Sequence, residues 1–458
     1  MKGTVGLKIN HDLNYSTSKA LKKASSELNE DPNIIIYFTG SHKGGSKTYE
    51  RAMSIIQKKY SEVPMVGCSG VGIAHHQDYG LKGAAIMMLS DIMAETHIIK
   101  RFRIINRLKT RKTVSLCNRI KKTNKNLNTS FLFFPPGLGF PKFMVNLLNH
   151  RIEGFNPFFI LNNRIWKNFP ILPSFSGKIA GFLMDLLGIG ISYSCAWPLF
   201  TSLFSKNMHF TGSFGTDALT MNKSYQFCNY KAYKDSLTFV SLGSSKLEFI
   251  NHSDSGATPL QNKEFQIDSY LDGGFIPRIN GEWGANALLK LYDMEQTPEI
   301  LEEITQRYFY YLPHRPLCIL DENKNINLYG LAINPNLKHG LITAPNQLAK
   351  RLRAKNSDKL RAFLTCQSAI TIEETLDRTL KTLVTPNTKF GLFFDCANRA
   401  MIVGDRFDQY LSKFKNHLGN IPYLIVFSGG EINSQHFPIV NFSLVSSLAR
   451  STKSPQSS

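Results

Sequence analysis

The sequence has no Cys-x-x-Cys pair. Its seven cysteines stand apart at 68, 117, 195, 228, 318, 366 and 396, which excludes a zinc ribbon and a dithiol redox motif and fits a reduced, intracellular compartment. Acidic residues are scarce: 34 Asp and Glu face 54 Lys and Arg, a formal net charge of +20. That excess makes anionic partners plausible but does not argue about fold. The opening stretch MKGTVGLKINHDLNYS lacks an apolar core, so no secretory signal is expected.

Apolar residues make up 42% of the chain and charged residues 19%, the composition of a globular protein. A length of 458 residues suffices for two or three domains. Two stretches depart from this. Residues 100–125 carry about eleven basic side chains and no acid. This is a solvated face or a contact with an anionic membrane surface. Nucleic acid is disfavoured, because no aromatic interleaving or recognisable motif accompanies the charge. Residues 179–204 hold a single charge, Asp185, over a length that would span a bilayer. Gly181, Gly188, Gly190 and Pro198 favour instead a buried helix followed by a strand.

Periodicity and turn signals then give β-α-β-α-β order over the first 70 residues, with strands at Val5–Ile9, NIIIYFTG and VPMVGCSG and helices at 16–28 and SKTYERAMSIIQKKY. TSFLFFPPGLG, MHFTGSFGTDAL, YQFCNYKAY and SLTFVSLG read as further strands. Residues 1–100 and 127–255 form two loosely similar α/β halves, the second carrying an apolar insertion around 140–207. Beyond 276, TKFGLFFDCANRAMIVG is a buried strand feeding a loop, RFDQYLSKFKNHLG a helix closed by Gly419, PYLIVFSGGEIN a strand and PIVNFSLVSSL the last core strand. A helix is also expected at PEILEEITQRYF.

GLFFDCANRA, IPYLIVFSGGEI and VNFSLV resemble the C-terminal half of the FIST family (F-box and intracellular signal transduction). The matching residues are Cys396, Ala397, Arg399, Gly430, Glu431, Ile432 and Asn441. INGEWGANALLKLY is similar to the family's Asn-Gly-x-x-Ala helix entry, VGCSGVG to its Val-Gly-Cys-Ser-x-Gly element, and FTGSFGTDA to the glycine-rich turn opening the second half. Ser428-Gly429, Val440 and Ser443 depart from the family pattern. The resemblance implies an α/β fold with mixed sheets: an N-terminal region of two similar α/β halves (1–275) and a C-terminal α/β domain (276–448), while the polar stretch ARSTKSPQSS (449–458) is expected as a disordered tail. It also implies an intracellular, cytoplasmic sensory protein that binds a small ligand such as an amino acid and feeds a signalling partner protein.

Candidate site residues follow. Gly67, Cys68, Ser69 and Gly70 are either a tight strand end or a ligand loop whose N–H groups hold a carboxylate. An enzyme using Cys68 or Ser69 as nucleophile is the rival reading. It fits the residues less well, since Val71 stands where a nucleophile elbow has glycine and no Lys-Ser/Thr follows for a phosphate loop. A third reading is a peripheral membrane protein using 100–125 and 179–204. Asp395, Cys396, Arg399, Gly430, Glu431 and Asn441 are the complementary set. A bidentate arginine suits a carboxylate and an acid suits an amine, while the plain alternative is an ion pair between Arg399 and Glu431. No cofactor is expected, and no metal, because His75 and His76 are adjacent and lack a third ligand.

Overall fold

The computed structural model describes residues 2–100 apart from 43, residue 118, 127–135 apart from 128, 209–215, most of 224–299, short strands between 310 and 342, and 360–452 apart from 435–438 and 441. Nearly all of the basic run at 100–125, the apolar segment 179–204, nearly all of the helix expected at 298–309, and Asn441 lie outside the described residues.

Three copies of one supersecondary unit make the frame. The first runs β1 (Gly3–Lys8), α1 (Leu13–Leu28), β2 (Ile34–Thr39), α2 (Ser46–Gln57), β3 (Met65–Ser69), the hairpin β4 (Gly72–His75) and β5 (Asp78–Gly80), then β6 (Ala84–Leu89). The second has β7 (Met93–Ile99), β8 (Thr129–Phe134), β9 (His209–Phe214), the hairpin β10 (Tyr225–Cys228) and β11 (Lys231–Lys234), and β12 (Leu237–Gly243). The third opens with β13 (Leu247–Asp254).

The third unit is interrupted by a separate antiparallel sheet. Its strands are β14 to β22, at Thr258–Leu271, Phe275–Ile279, Glu282–Trp283, Tyr310–Tyr311, Leu317–Leu320, Ile326–Tyr329, Leu331–Asn334, His339–Ile342 and Leu360–Cys366. A helix, α3 (Gly284–Leu291), packs on it through Leu288 against Phe265, Ile276 and Leu364. The unit then resumes with α4 (Ala369–Leu383), β23 (Thr388–Cys396), α5 (Ala397–Val403), α6 (Phe407–Leu418), β24 (Tyr423–Ser428), the hairpin β25 (Glu431–Asn433) and β26 (Ile439–Val440), and β27 (Leu444–Ser451).

In each unit the last strand inserts between the first and second, and the second and third run parallel. Each hairpin, however, leaves its own sheet. β10 of the second unit pairs with β3 of the first, β25 of the third with β9 of the second, and β4 of the first with β24 of the third. The exchange is cyclic, so each unit completes the sheet of another.

Register makes the repeat explicit. Leu7, Ala85, Phe38, Cys68 and Gln226 form one row across the first sheet. Ile98, Thr238, Phe133, Ser213 and Glu431 form the matching row of the second. Ser253, Val445, Phe394, Val426 and Ile73 form that of the third. The three middle phenylalanines meet edge to face, with centroids 5.3 Å apart for Phe38–Phe133, 6.3 Å for Phe38–Phe394 and 6.2 Å for Phe133–Phe394. They sit in a common core fed by all three sheets. Helices cover the outer faces: α1 and α2 over Tyr37, Met65 and Phe227, and α4 and α6 over Phe393, Ile425 and Tyr423.

The fold is the mixed-sheet α/β architecture read from the sequence, with a third repeat in addition to the two halves. Pairing of β13 with β27 crosses the 275/276 boundary. Ala449 to Ser451, expected in the tail, are instead held in β27 against Phe249 to Leu247. The loop expected after Cys396 is a helix from Ala397 onward.

The glycines of VGCSG and FTGSFG have one shared cause. A Cβ on Gly67 would stand 1.8 Å from the Tyr37 carbonyl oxygen, and one on Gly212 would stand 1.9 Å from that of Leu132. These are the same position in two units, one place before the inward row. Gly67→Ala, with φ at +155° and no room, is expected to destabilise the fold by at least about 1–3 kcal/mol in urea unfolding. Gly45→Ala meets nothing within 4 Å and should stay within about 0.5 kcal/mol of the parent.

Candidate functional site

The described candidates fall at the end of β3, at the end of β23 and the start of α5, and at the start of β25. Gly67 to Gly70 close β3. The Ser69 hydroxyl accepts the Tyr225 N–H at 2.9 Å, and the Gly70 N–H donates to the Thr39 carbonyl at 2.8 Å. Cys68 faces the common core, its Sγ 3.9 Å from the Ser213 hydroxyl, and burial pushes its thiol up to about 12. The groups that a carboxylate cradle would use are therefore engaged within the fold. His75 points elsewhere: its Nδ1 donates to the Tyr423 carbonyl at 2.7 Å, and burial, reinforced by His76, lowers its pKa to about 3. Among the described residues no group of three or more His, Cys, Asp or Glu is placed to hold a metal.

Asp395 and Arg399 lie at the end of β23 and on the first turn of α5. That helix starts directly from the strand, which sets the two side chains one turn apart on the same side. Both are fully buried, with Arg399 Nε 2.9 Å from Asp395 Oδ1. Tyr410 of α6 donates its hydroxyl to the other carboxylate oxygen, and Arg399 Nη1 donates to the Ser255 carbonyl. Burial works against the guanidinium charge, but Asp395 and Tyr410 outweigh it and Arg399 is held above its ordinary value. The partner of Arg399 is thus Asp395, not Glu431. A spacing of four residues at a strand-to-helix junction was the available signal for that pair. Tyr410, hidden in the apolar stripe of α6, offered none.

Glu431 starts β25 and stands opposite Ser213 in register. It is fully buried, and its Oε1 accepts the Ser428 hydroxyl at 3.0 Å. Burial drives its carboxyl well above the usual range, while Ser428 and Arg399 pull the other way and Asp395 adds to the rise. The Cys396 thiol is raised well above its usual value by burial and by Glu431. The neighbouring Gly430 accepts the Phe214 N–H through its carbonyl at 2.8 Å. Ser213 connects the two groups of candidates, opposite Glu431 on one side and near Cys68 on the other. Sixteen buried polar side-chain atoms make no hydrogen bond among the described residues, and two of them, Glu431 Oε2 and Arg399 Nη2, lie in this cluster. Buried polar atoms are nearly always satisfied in native proteins, so each needs a reason.

A cyclic three-unit α/β frame, with acidic and basic side chains buried at the strand ends of the third unit, defines the class of protein. Residues 33–282 match the FIST N domain and residues 351–434 the FIST C domain, and the chain belongs to the FIST family, whose domains are associated with sensory and signal-transduction functions. No curated protein matches the chain. Among the described residues no helix is long and apolar enough to cross a membrane.

Glu431→Gln keeps the side-chain shape and removes the buried titrating carboxyl. A carboxyl raised in the folded state favours folding most below its ordinary pKa of 4.5, and that contribution is lost as pH rises toward the shifted value. Urea unfolding of Glu431→Gln should therefore show a gain over the parent that grows from pH 4.5 to pH 8. Arg399→Ala leaves the Asp395 carboxyl buried without its partner and is expected to lose about 3–5 kcal/mol.

Proposed function

We propose that this protein is a non-catalytic sensor that binds a small zwitterion, such as an amino acid, at the strand ends of its third unit. The single observation that carries this reading is the pair of unsatisfied buried atoms, Arg399 Nη2 and Glu431 Oε2. One is a donor suited to a carboxylate and the other an acceptor suited to an ammonium. Asp395 and Tyr410 hold the arginine in place, and Ser428 holds the glutamate.

Both atoms are shut from solvent, so ligand entry requires the strand ends to open. Such coupling between binding and a local rearrangement is what a sensory domain transmits to a signalling partner, provided the ligand prefers one of the two states. The proposed contacts are Arg399, Glu431 and Asp395, with Cys396 and Gly430 beside them and Asn441 on the following segment. Gly67 to Gly70 act as the frame under the site, linked to it through Ser213.

Catalysis by Cys68 has little support. Its thiol is held protonated by burial, and a hydroxyl is its hydrogen-bond partner where a base is needed.

Thermal shift against the amino acids tests the reading. At least one amino acid is expected to raise the midpoint of the parent, and Glu431→Gln is expected to lose that shift while unfolding cooperatively. An unresponsive parent across the panel, or a Glu431→Gln variant that responds as the parent does, defeats the assignment.

A further inference from the structure

The repeat relates the buried Arg399 site to a second place that is open. Residues at the same register carry the comparison: Asp395 corresponds to Thr39, and Asp254 to Lys8. In the third unit the gap between the chain leaving β13 and the chain leaving β23 is closed by Arg399, which donates to the Ser255 carbonyl. In the first unit the corresponding gap, between the chain leaving β1 and the chain leaving β2, holds no arginine from its own junction. A cleft of about 350 Å³ remains there, lined by His11, Asp12, Asn14, His42, Arg51 and Lys82 among others.

The charges in this cleft do not balance. Its one carboxylate, Asp12, is engaged as the cap of α1, accepting the N–H groups of Asn14 at 2.8 Å and Tyr15 at 3.1 Å. Arg51 has no carboxylate partner among the described residues, and Lys82 Nζ meets only the His11 ring, at 3.1 Å. His42 is a strut: its Nε2 accepts the Gly83 N–H at 3.1 Å, tying the loop after β2 to the turn before β6. Two cations from different elements therefore line a cleft whose single carboxylate, Asp12, is turned to the N–H groups of α1. Clefts outside the carboxyl ends of strands are where α/β sheets collect ligands.

We propose that this cleft is a second ligand site, separate from the Arg399–Glu431 cluster, and that it takes an oxyanion of the phosphate type. Arg51 supplies a forked pair of donors and Lys82 a point charge, the combination that phosphate oxygens recruit. His11 stands beside Lys82 with its other ring nitrogen available as a donor. The site does not depend on the zwitterion reading, since none of its residues belongs to the third unit.

Calorimetric titration of the full chain with inorganic phosphate and with pyrophosphate, at physiological ionic strength, tests it. Saturable binding is expected, at least tenfold weaker in Arg51→Gln and in Lys82→Gln. Lys381→Gln, an exposed cation on α4, should leave it unchanged. Any amino-acid thermal shift should survive in Arg51→Gln, which separates failure at this cleft from failure at the other site. Absence of binding to the parent overturns the proposal. So does equal weakening in Arg51→Gln and Lys381→Gln, which would mark attraction by the overall positive charge alone.

Discussion

The contact on which the rest depends is the triangle of Phe38, Phe133 and Phe394. Each is the inward residue of its unit's second strand, and each meets the other two edge to face within 6.3 Å. Edge-to-face aromatic pairs add about 0.5–1.5 kcal/mol beyond the area they bury. Their larger effect here is positional. Because the three rings occupy the same register, fixing them fixes the relative height of all three sheets. The strand ends of one unit then arrive beside the hairpin start of the next.

The cyclic exchange of hairpins follows from the same constraint. A four-stranded sheet with its third strand outermost presents an unpaired edge, and an unpaired edge invites association with another chain. In this frame each such edge is covered by the neighbour's hairpin, and the ring closes on itself. The exchange also decides where polar groups gather. At the first and second joints the inward pairs are Cys68 opposite Gln226 and Ser213 opposite Glu431. At the third the pair is Val426 opposite Ile73, wholly apolar. Three places equivalent in backbone thus differ in chemistry, and the one bearing a carboxylate lies next to Asp395 and Arg399.

Much of this frame was legible in the sequence. The buried runs NIIIYFTG, TSFLFFPPGLG and TKFGLFFDC were read as strands, and each supplies one member of the phenylalanine triangle. The glycine-rich elements VGCSGVG and FTGSFGTDA were each singled out, and Gly67 and Gly212 share a cause: close approach to the neighbouring strand's carbonyl. The third repeat was hidden for two physical reasons. The antiparallel sheet inserted after β13 separates its first strand from its second by more than a hundred residues, and Ile425 stands in β24 where the other units have glycine. Pairing of β10 with β3 and of β25 with β9 joins residues far apart in the chain, and no local pattern encodes such a contact. The same limit applied to the site. Asp395 and Arg399, four residues apart, could be coupled from spacing. The Tyr410 hydroxyl reaches Asp395, and the Ser255 carbonyl reaches Arg399, only through the packing of α6 and the course of the chain after β13.

The two ligand readings rest on one comparison within the chain. A strand end in this frame leaves a gap between two departing segments, and the gap must be filled by protein or by something else. In the third unit an arginine fills it, satisfied by Asp395 and a backbone carbonyl except at one nitrogen, with a second unsatisfied atom on Glu431 nearby. In the first unit the gap stays open, and its walls carry two cations against one carboxylate, Asp12, which is engaged as a helix cap. A buried guanidinium is tolerated only with its donors answered, and an open cationic cleft is tolerated because water answers it. That difference separates the two proposed sites in kind. Occupying the first requires the strand ends to move, which suits a signal. Occupying the second requires only the displacement of solvent, which suits a ligand that binds without changing the frame.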